Sequence, residues 1–226
     1  MASEAALYRL LAWLSPAYPT GAYSYSHGIE AAVDAGLVTG RSDLVAWVGG
    51  ILSRGGGRVD GAMFVAAWRA VAAGDLSALD TVVEFAAAWR GTAELALESR
   101  AQGSAFLTIT GTAWPVPKLE TLVRRYETIT LPVAVALAAA CHGLPLQPAL
   151  TAYLAAFAAN LVSAGVRLIP LGQSDGQAAI AVLEADVAAA VNAALGSDLG
   201  QIGTAAPMVD WCSMRHEVQY SRLFRS

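Results

Sequence analysis

Between Thr128 and Val166 the chain carries no Asp, Glu, Lys or Arg. An uncharged stretch this long belongs either in a protein core or in a lipid bilayer. Its internal punctuation favours the core. The run Leu131 to Cys141 is short and holds Pro132, and Pro148 interrupts the region again. The run Ala149 to Val166 is about long enough to span a bilayer, but it contains Thr151, Asn160 and Ser163. A spanning helix wants about 20 strongly apolar residues, and alanine contributes much less to insertion than leucine does. Both segments are therefore expected to be buried core helices, with no membrane involved.

Helices are expected on either side of this region too. Glu4 to Leu14 repeats apolar residues at helical spacing and stops before Pro16. Ser42 is placed to cap a helix over Asp43 to Leu52, Asp60 to cap the next, and Asp75 or Ser77 to cap one running through Ala88. Thr92 caps a long helix from Ala93 to about Thr110. There Glu94, Glu98 and Arg100 are expected in solvent or against a partner, while Leu95, Ala96, Ser99 and Gly103 form a small-residue packing seam. Lys118 to Glu127, Thr130-capped Leu131 to Cys141, a helix from Gln147 toward Leu168, and Asp175 to Leu195 complete the series. No set of alternating strands supports a sheet, and no long period repeats. The expected fold is all-α, a single domain of about ten packed helices around an alanine-rich core. Residues 1–212 form the helical body and residues 213–226 a C-terminal tail.

Only 14% of residues are charged whereas 56% are hydrophobic, so apolar surface must be covered in an oligomer or complex. A homodimer is the simplest such assembly. A net charge of −4 excludes a basic nucleic-acid face. Two cysteines, Cys141 and Cys212, make no disulfide framework. Glu4 stands where a secretion signal wants positive charge, and no long apolar core follows it. The expected location is cytoplasmic.

Turn formers, aromatics and polar groups crowd together in Ser15 to Glu30, SPAYPTGAYSYSHGIE. Pro16 and Pro19 stiffen the loop and Gly21 permits a sharp redirection. A helix over Ala22 to Ala32 would put Tyr23, His27 and Glu30 on one face with Ser26 beside them. One reading is a helix connection with half-buried aromatics. The other is an exposed interface made by Tyr23, Tyr25, Ser26, His27 and Glu30.

Catalytic motifs are missing from the sequence. Gly55-Gly56-Gly57 is followed by Arg58, without the lysine and hydroxyl of a phosphate-binding loop. His216-Glu217 lacks the second histidine of a zinc pair. Cys141 and His142 are adjacent and point apart on a helix. Cys212 and His216 share a face at i, i+4, but two ligands make a weak site. Neither a cofactor nor a bound metal is expected. The tail mixes Arg215, Arg222 and Arg225 with Tyr220, Leu223 and Phe224, the residue types that anchor interfaces.

Three stretches carry a resemblance. Tyr23-Ser24-Tyr25-Ser26-His27-Gly28-Ile29-Glu30 looks like the signature of the UreF family of urease accessory proteins. Arg167-Leu168-Ile169-Pro170-Leu171-Gly172-Gln173 is similar to that family's arginine-to-PLGQ segment. Ser213 to Ser226, ending His216-Glu217 and then Arg222-Leu223-Phe224-Arg225-Ser226, is similar to its terminal tail. The resemblance implies a non-catalytic accessory protein required for urease maturation. Such a protein is a dimer that binds a UreD-type partner, recruits and regulates the GTPase UreG, and acts on the urease apoprotein in nickel insertion. On that basis Arg215, His216, Glu217, Tyr220, Arg222, Leu223, Phe224 and Arg225 are expected to dock on the UreD-type partner, with the tail poorly ordered in its absence. The face of Tyr23, Tyr25, Ser26, His27 and Glu30 is expected at the dimer axis or the GTPase. Two rival readings stand beside it, a small-molecule hydrolase using Tyr23, His27 and Glu30, and a membrane-embedded helical protein.

Overall fold

The computed structural model describes residues 3–226. Among them it forms an all-α fold of twelve α-helices and two short 3-10 turns. α8, Leu131–Cys141, is the centre of the fold, and every residue from Pro132 to Ala139 is buried. Its neighbours are α4, Gly56–Ala73, and α6, Ala93–Ala113, with α5, Leu76–Ala88, and α7, Pro117–Val123, beside them. Small side chains let these axes approach closely. A Cβ on Gly103 of α6 would stand 2.2 Å from the Ile129 carbonyl oxygen, so only glycine fits where the chain turns into α8.

α9, Leu146–Leu168, is the one described helix long and apolar enough to cross a membrane, and half of its apolar window is buried inside the fold. It packs on α3, Arg41–Arg54, on α4, and on α10 and α11, Gln173–Val182 and Glu184–Leu195. α1, Glu4–Trp13, lies across its outer side. α2, Ile29–Asp34, and α12, Pro207–Glu217, pack together near the start of α6.

Asp75 and Thr92 cap their helices through side-chain bonds to Ala78 N and Leu95 N, as the sequence leads one to expect. Other expectations need correction. Ser42 lies inside α3, whose first residue is Arg41, and Asp43 instead accepts bonds from the Thr39 amide and hydroxyl. Asp60 caps nothing. It lies within α4, buried, because Arg90 and Tyr153 both bond to it. The helix expected over Asp175 to Leu195 is two helices, α10 and α11, that meet at Leu183 with a bend of 41°. The boundary drawn at 212/213 falls inside α12, which runs through it without a break.

Candidate functional site

After α1 the chain descends through Tyr18, whose buried hydroxyl bonds Thr110 Oγ1 at 2.8 Å. Ala22–Ser24 forms a 3-10 turn and Tyr25 is extended. His27 and Gly28 then take φ values of 56° and 79°, both left-handed. Two successive left-handed residues cannot sit inside a right-handed helix, so the continuous helix expected over Ala22 to Ala32 does not form. A packing contact goes with the break. A Cβ on Gly28 would stand 3.0 Å from the backbone nitrogen of Ser213 in α12, so the chain at Gly28 touches that helix. Tyr23 is consequently 66% exposed, while Tyr25, Ser26, His27 and Glu30 are buried. The single exposed face expected of Tyr23, His27 and Glu30 does not exist.

What the loop and α2 build instead is a seat for the C-terminal segment. Glu30 stands in the first turn of α2, where a carboxylate is favoured by the helix dipole. Its Oε1 accepts the Leu223 amide at 2.7 Å and its Oε2 the Phe224 amide at 2.9 Å. The same Oε2 faces His216 Nε2 at 3.1 Å. Glu94, in the first turn of α6, faces the other ring nitrogen of His216 at 2.8 Å and accepts from Arg222 Nη1 at 3.0 Å. Glu98, one turn on, accepts from the Ser226 hydroxyl at 2.7 Å and from Gln102 Nε2 at 3.3 Å. The Ser26 amide donates to the Ser226 carbonyl at 2.8 Å, and the Ser26 hydroxyl bonds the same oxygen. The Arg225 amide donates to the Ser24 carbonyl at 2.8 Å. Two backbone bonds thus tie the loop to the tail.

His216 is fully buried between two carboxylates. Each ring nitrogen has a carboxylate oxygen within hydrogen-bond distance, so neither is left without a partner. The buried carboxylates of this seat are thus all hydrogen-bonded, the condition under which polar groups survive burial. Arg167, in the last turn of α9, closes the outer side. Its guanidinium carbon lies 3.7 Å from the Tyr23 ring centroid and 4.3 Å from that of Phe224. One arginine is thereby held between an aromatic of the loop and an aromatic of the tail.

The three sequence stretches that carry the resemblance meet at this point. Among the residues singled out from sequence, Ser26, Glu30, His216, Arg222 and Phe224 come together, with Tyr25 buried beside Arg225. Tyr220 and Leu223 face solvent, as do Arg215 and Glu217. The tail expected to be poorly ordered on its own is seated on its own body, because amides of Leu223 and Phe224 and the side chains of His216 and Ser226 find acceptors there. Glu94 and Glu98, expected in solvent or against a partner, are buried as two of those acceptors. Sequence reasoning missed them as site residues, along with Arg167. The available signal was their i, i+4 spacing directly beside the Leu95, Ser99 and Gly103 seam.

The outer surface of this seat is apolar. Met208, Trp211 and Met214 lie at helical spacing along α12 and are exposed, followed by Val218, Tyr220 and Leu223. A second apolar face lies on α1, where exposed Leu7 and Leu11 border a groove of about 1110 Å3 floored by Thr151, Ala155 and Ala159 of α9. The thiol of Cys212 is pushed up to about 11 by burial, and its i, i+4 companion His216 has both nitrogens engaged. His142 is lowered chiefly by burial, and its ring packs edge-on to Trp13 at 5.0 Å. Among the described residues no three His, Cys, Asp or Glu side chains converge to hold a metal ion.

Residues 38–184 match the family model described as UreF. The chain is 53% identical over 224 residues to the urease accessory protein UreF of Granulibacter bethesdensis, covering 99% of this chain and 95% of that protein. It is 45% identical over 225 residues to the protein of that name in Bradyrhizobium sp. strain ORS 278, covering 100% and 94%. With the one in Rhodopseudomonas palustris strain BisB5 the identity is 48% over 224 residues, covering 99% and 92%.

Proposed function

The chain belongs to the UreF family of urease accessory proteins, and from that premise we propose that it is a non-catalytic scaffold for urease maturation, docking a UreD-type partner through the seated tail and α12. In this reading the complex recruits a UreG-type GTPase, regulates it, and acts on the urease apoprotein during nickel insertion in the cytoplasm. The observation that carries the docking assignment is the surface formed by Met208, Trp211, Met214, Val218, Tyr220 and Leu223, interleaved with exposed Arg215, Arg222 and Arg225. Large exposed apolar side chains interleaved with arginines are the composition of an interface core. The seat beneath fixes that surface, so little conformational entropy is left to lose on docking. A homodimer through the α1–α9 groove is the second part of the proposal, supported by exposed Leu7 and Leu11 that line it.

A hydrolase built on Tyr23, His27 and Glu30 has lost its geometry. Both Glu30 oxygens are engaged by the tail and by His216, and Tyr23 lies on the surface. The test of the docking surface is co-purification with UreD-type and UreG-type partners. Trp211→Asp and Leu223→Asp change exposed side chains, so the melting temperature should hold while capture of the UreD-type partner is lost. Undiminished capture by both variants would remove the docking assignment.

A further inference from the structure

Beside His27 lies a cleft of about 240 Å3, bordered also by Gly55, Gly56, Arg90, Thr204 and Asp210. A water molecule takes about 30 Å3, so the space admits a small ion with part of its hydration shell. The cleft opens on the N-terminus of α4, a helix of 18 residues whose cap, Gly55, offers no side-chain acceptor. Unsatisfied amides and the positive end of the dipole are both left there.

Two side chains supply an independent indication of what the cleft takes. Arg90 is buried, and its Nη1 bonds Asp60 at 2.8 Å. The Tyr153 hydroxyl occupies the other Asp60 oxygen, at 2.8 Å. Arg90 Nε and Nη2 have no partner. Those two nitrogens form the edge of a guanidinium that makes paired parallel bonds to a carboxylate or phosphate. His27, also buried, has neither ring nitrogen hydrogen-bonded: Nδ1 lies 3.5 Å from Glu98 Oε2, and Nε2 lies 2.9 Å from where a Cβ on Gly56 would stand. The backbone of His27 is left-handed, an arrangement that persists only where surroundings enforce it. A strained histidine, a half-used arginine and an uncapped helix thus border one space, and each lacks an acceptor.

We infer that this cleft binds a small oxyanion, a phosphate or carboxylate group held by His27 Nε2, the free edge of Arg90 and the N-terminus of α4. Asp210, from the first turn of α12, is the one carboxyl lining the cleft itself. Burial pushes its pKa up, with the His27 charge a smaller opposing influence. Asp60 has its two oxygens engaged by Arg90 Nη1 and the Tyr153 hydroxyl, and Glu98 faces His27 Nδ1 rather than the cleft. The site is separate from the docking surface, and neither Trp211 nor Leu223 is altered in its test.

The experiment is calorimetric titration of the full chain with inorganic phosphate, with acetate in a second arm and chloride at equal ionic strength as control. Saturable heat is expected with phosphate or acetate. The stronger of the two identifies the source as a phosphoryl or a carboxylate group. Gly56→Ala has ordinary backbone angles but places its methyl against His27 Nε2. His27→Asn retains tolerance for the left-handed backbone and removes the ring. Either variant should weaken binding at least tenfold with unchanged circular dichroism, and one that fails to fold leaves the other to decide. Titrations that are featureless for both anions overturn the inference, as does binding of parental strength in the folded variants.

Discussion

Leu137 of α8 and His216 of α12 are equally hidden from solvent, and they are held by opposite means. Leu137 lies in a helix whose residues from Pro132 to Ala139 are all buried, so its stability comes from apolar area and close packing. His216 is surrounded by the carboxylates of Glu30 and Glu94, drawn from two other helices. The core helix is redundant, since each side chain contributes a little and neighbours compensate in part. The seat of the tail is conditional, since removing any one group leaves its partners buried and unpaired. The protein thus joins a packed body to a surface element that stays in place only while its polar set is complete.

Breaking the polar side should have the larger effect. Glu30→Ala strips acceptors from two amides and from His216, and loss of one partner from a buried charged set costs about 3–5 kcal/mol. In urea unfolding the midpoint should fall accordingly, and limited proteolysis should cut the tail first. Leu137→Ala should cost about 3 kcal/mol through lost transfer energy and the cavity left behind. Its tail should remain resistant to protease until the whole molecule unfolds. Arg167→Ala removes a cation between two rings on a partly exposed surface, so about 1 kcal/mol is expected. Its signature is faster tail cleavage with little change in the global midpoint. If Glu30→Ala and Leu137→Ala loosened the tail to the same degree, the distinction between the two regions would fail.

The same distinction explains what the sequence discloses. α8 is legible because a charge-free run with proline in its first turn and a turn after it declares burial within one segment. The caps Asp75 and Thr92 are legible because their partners lie three residues away. Asp60 reads as a cap because the residues that make it a buried ion, Arg90 and Tyr153, come from distant segments. Glu94 and Glu98 read as solvated or partner-facing for the same reason, since His216, Arg222 and Ser226 reach them across more than a hundred residues. His27 is the plainest case. A helix over Ala22 to Ala32 is a reasonable local reading, yet the chain turns left-handed at His27 and Gly28, where it meets α12. The resemblance drew attention to the three stretches that meet at the seat, but the carboxylates that join them became visible only in three dimensions.

The central claim is that residues 222–226 are seated on their own body without any partner. Amide hydrogen exchange on the isolated full-length chain tests it most directly. The amides of Leu223 and Phe224, which donate to Glu30, and of Arg225 and Ser26, which pair loop with tail, should exchange far more slowly than unstructured amides. Glu30→Ala should release Leu223 and Phe224 while leaving α8 protected. Exchange of all four amides at the unstructured rate in the unaltered protein would contradict the account.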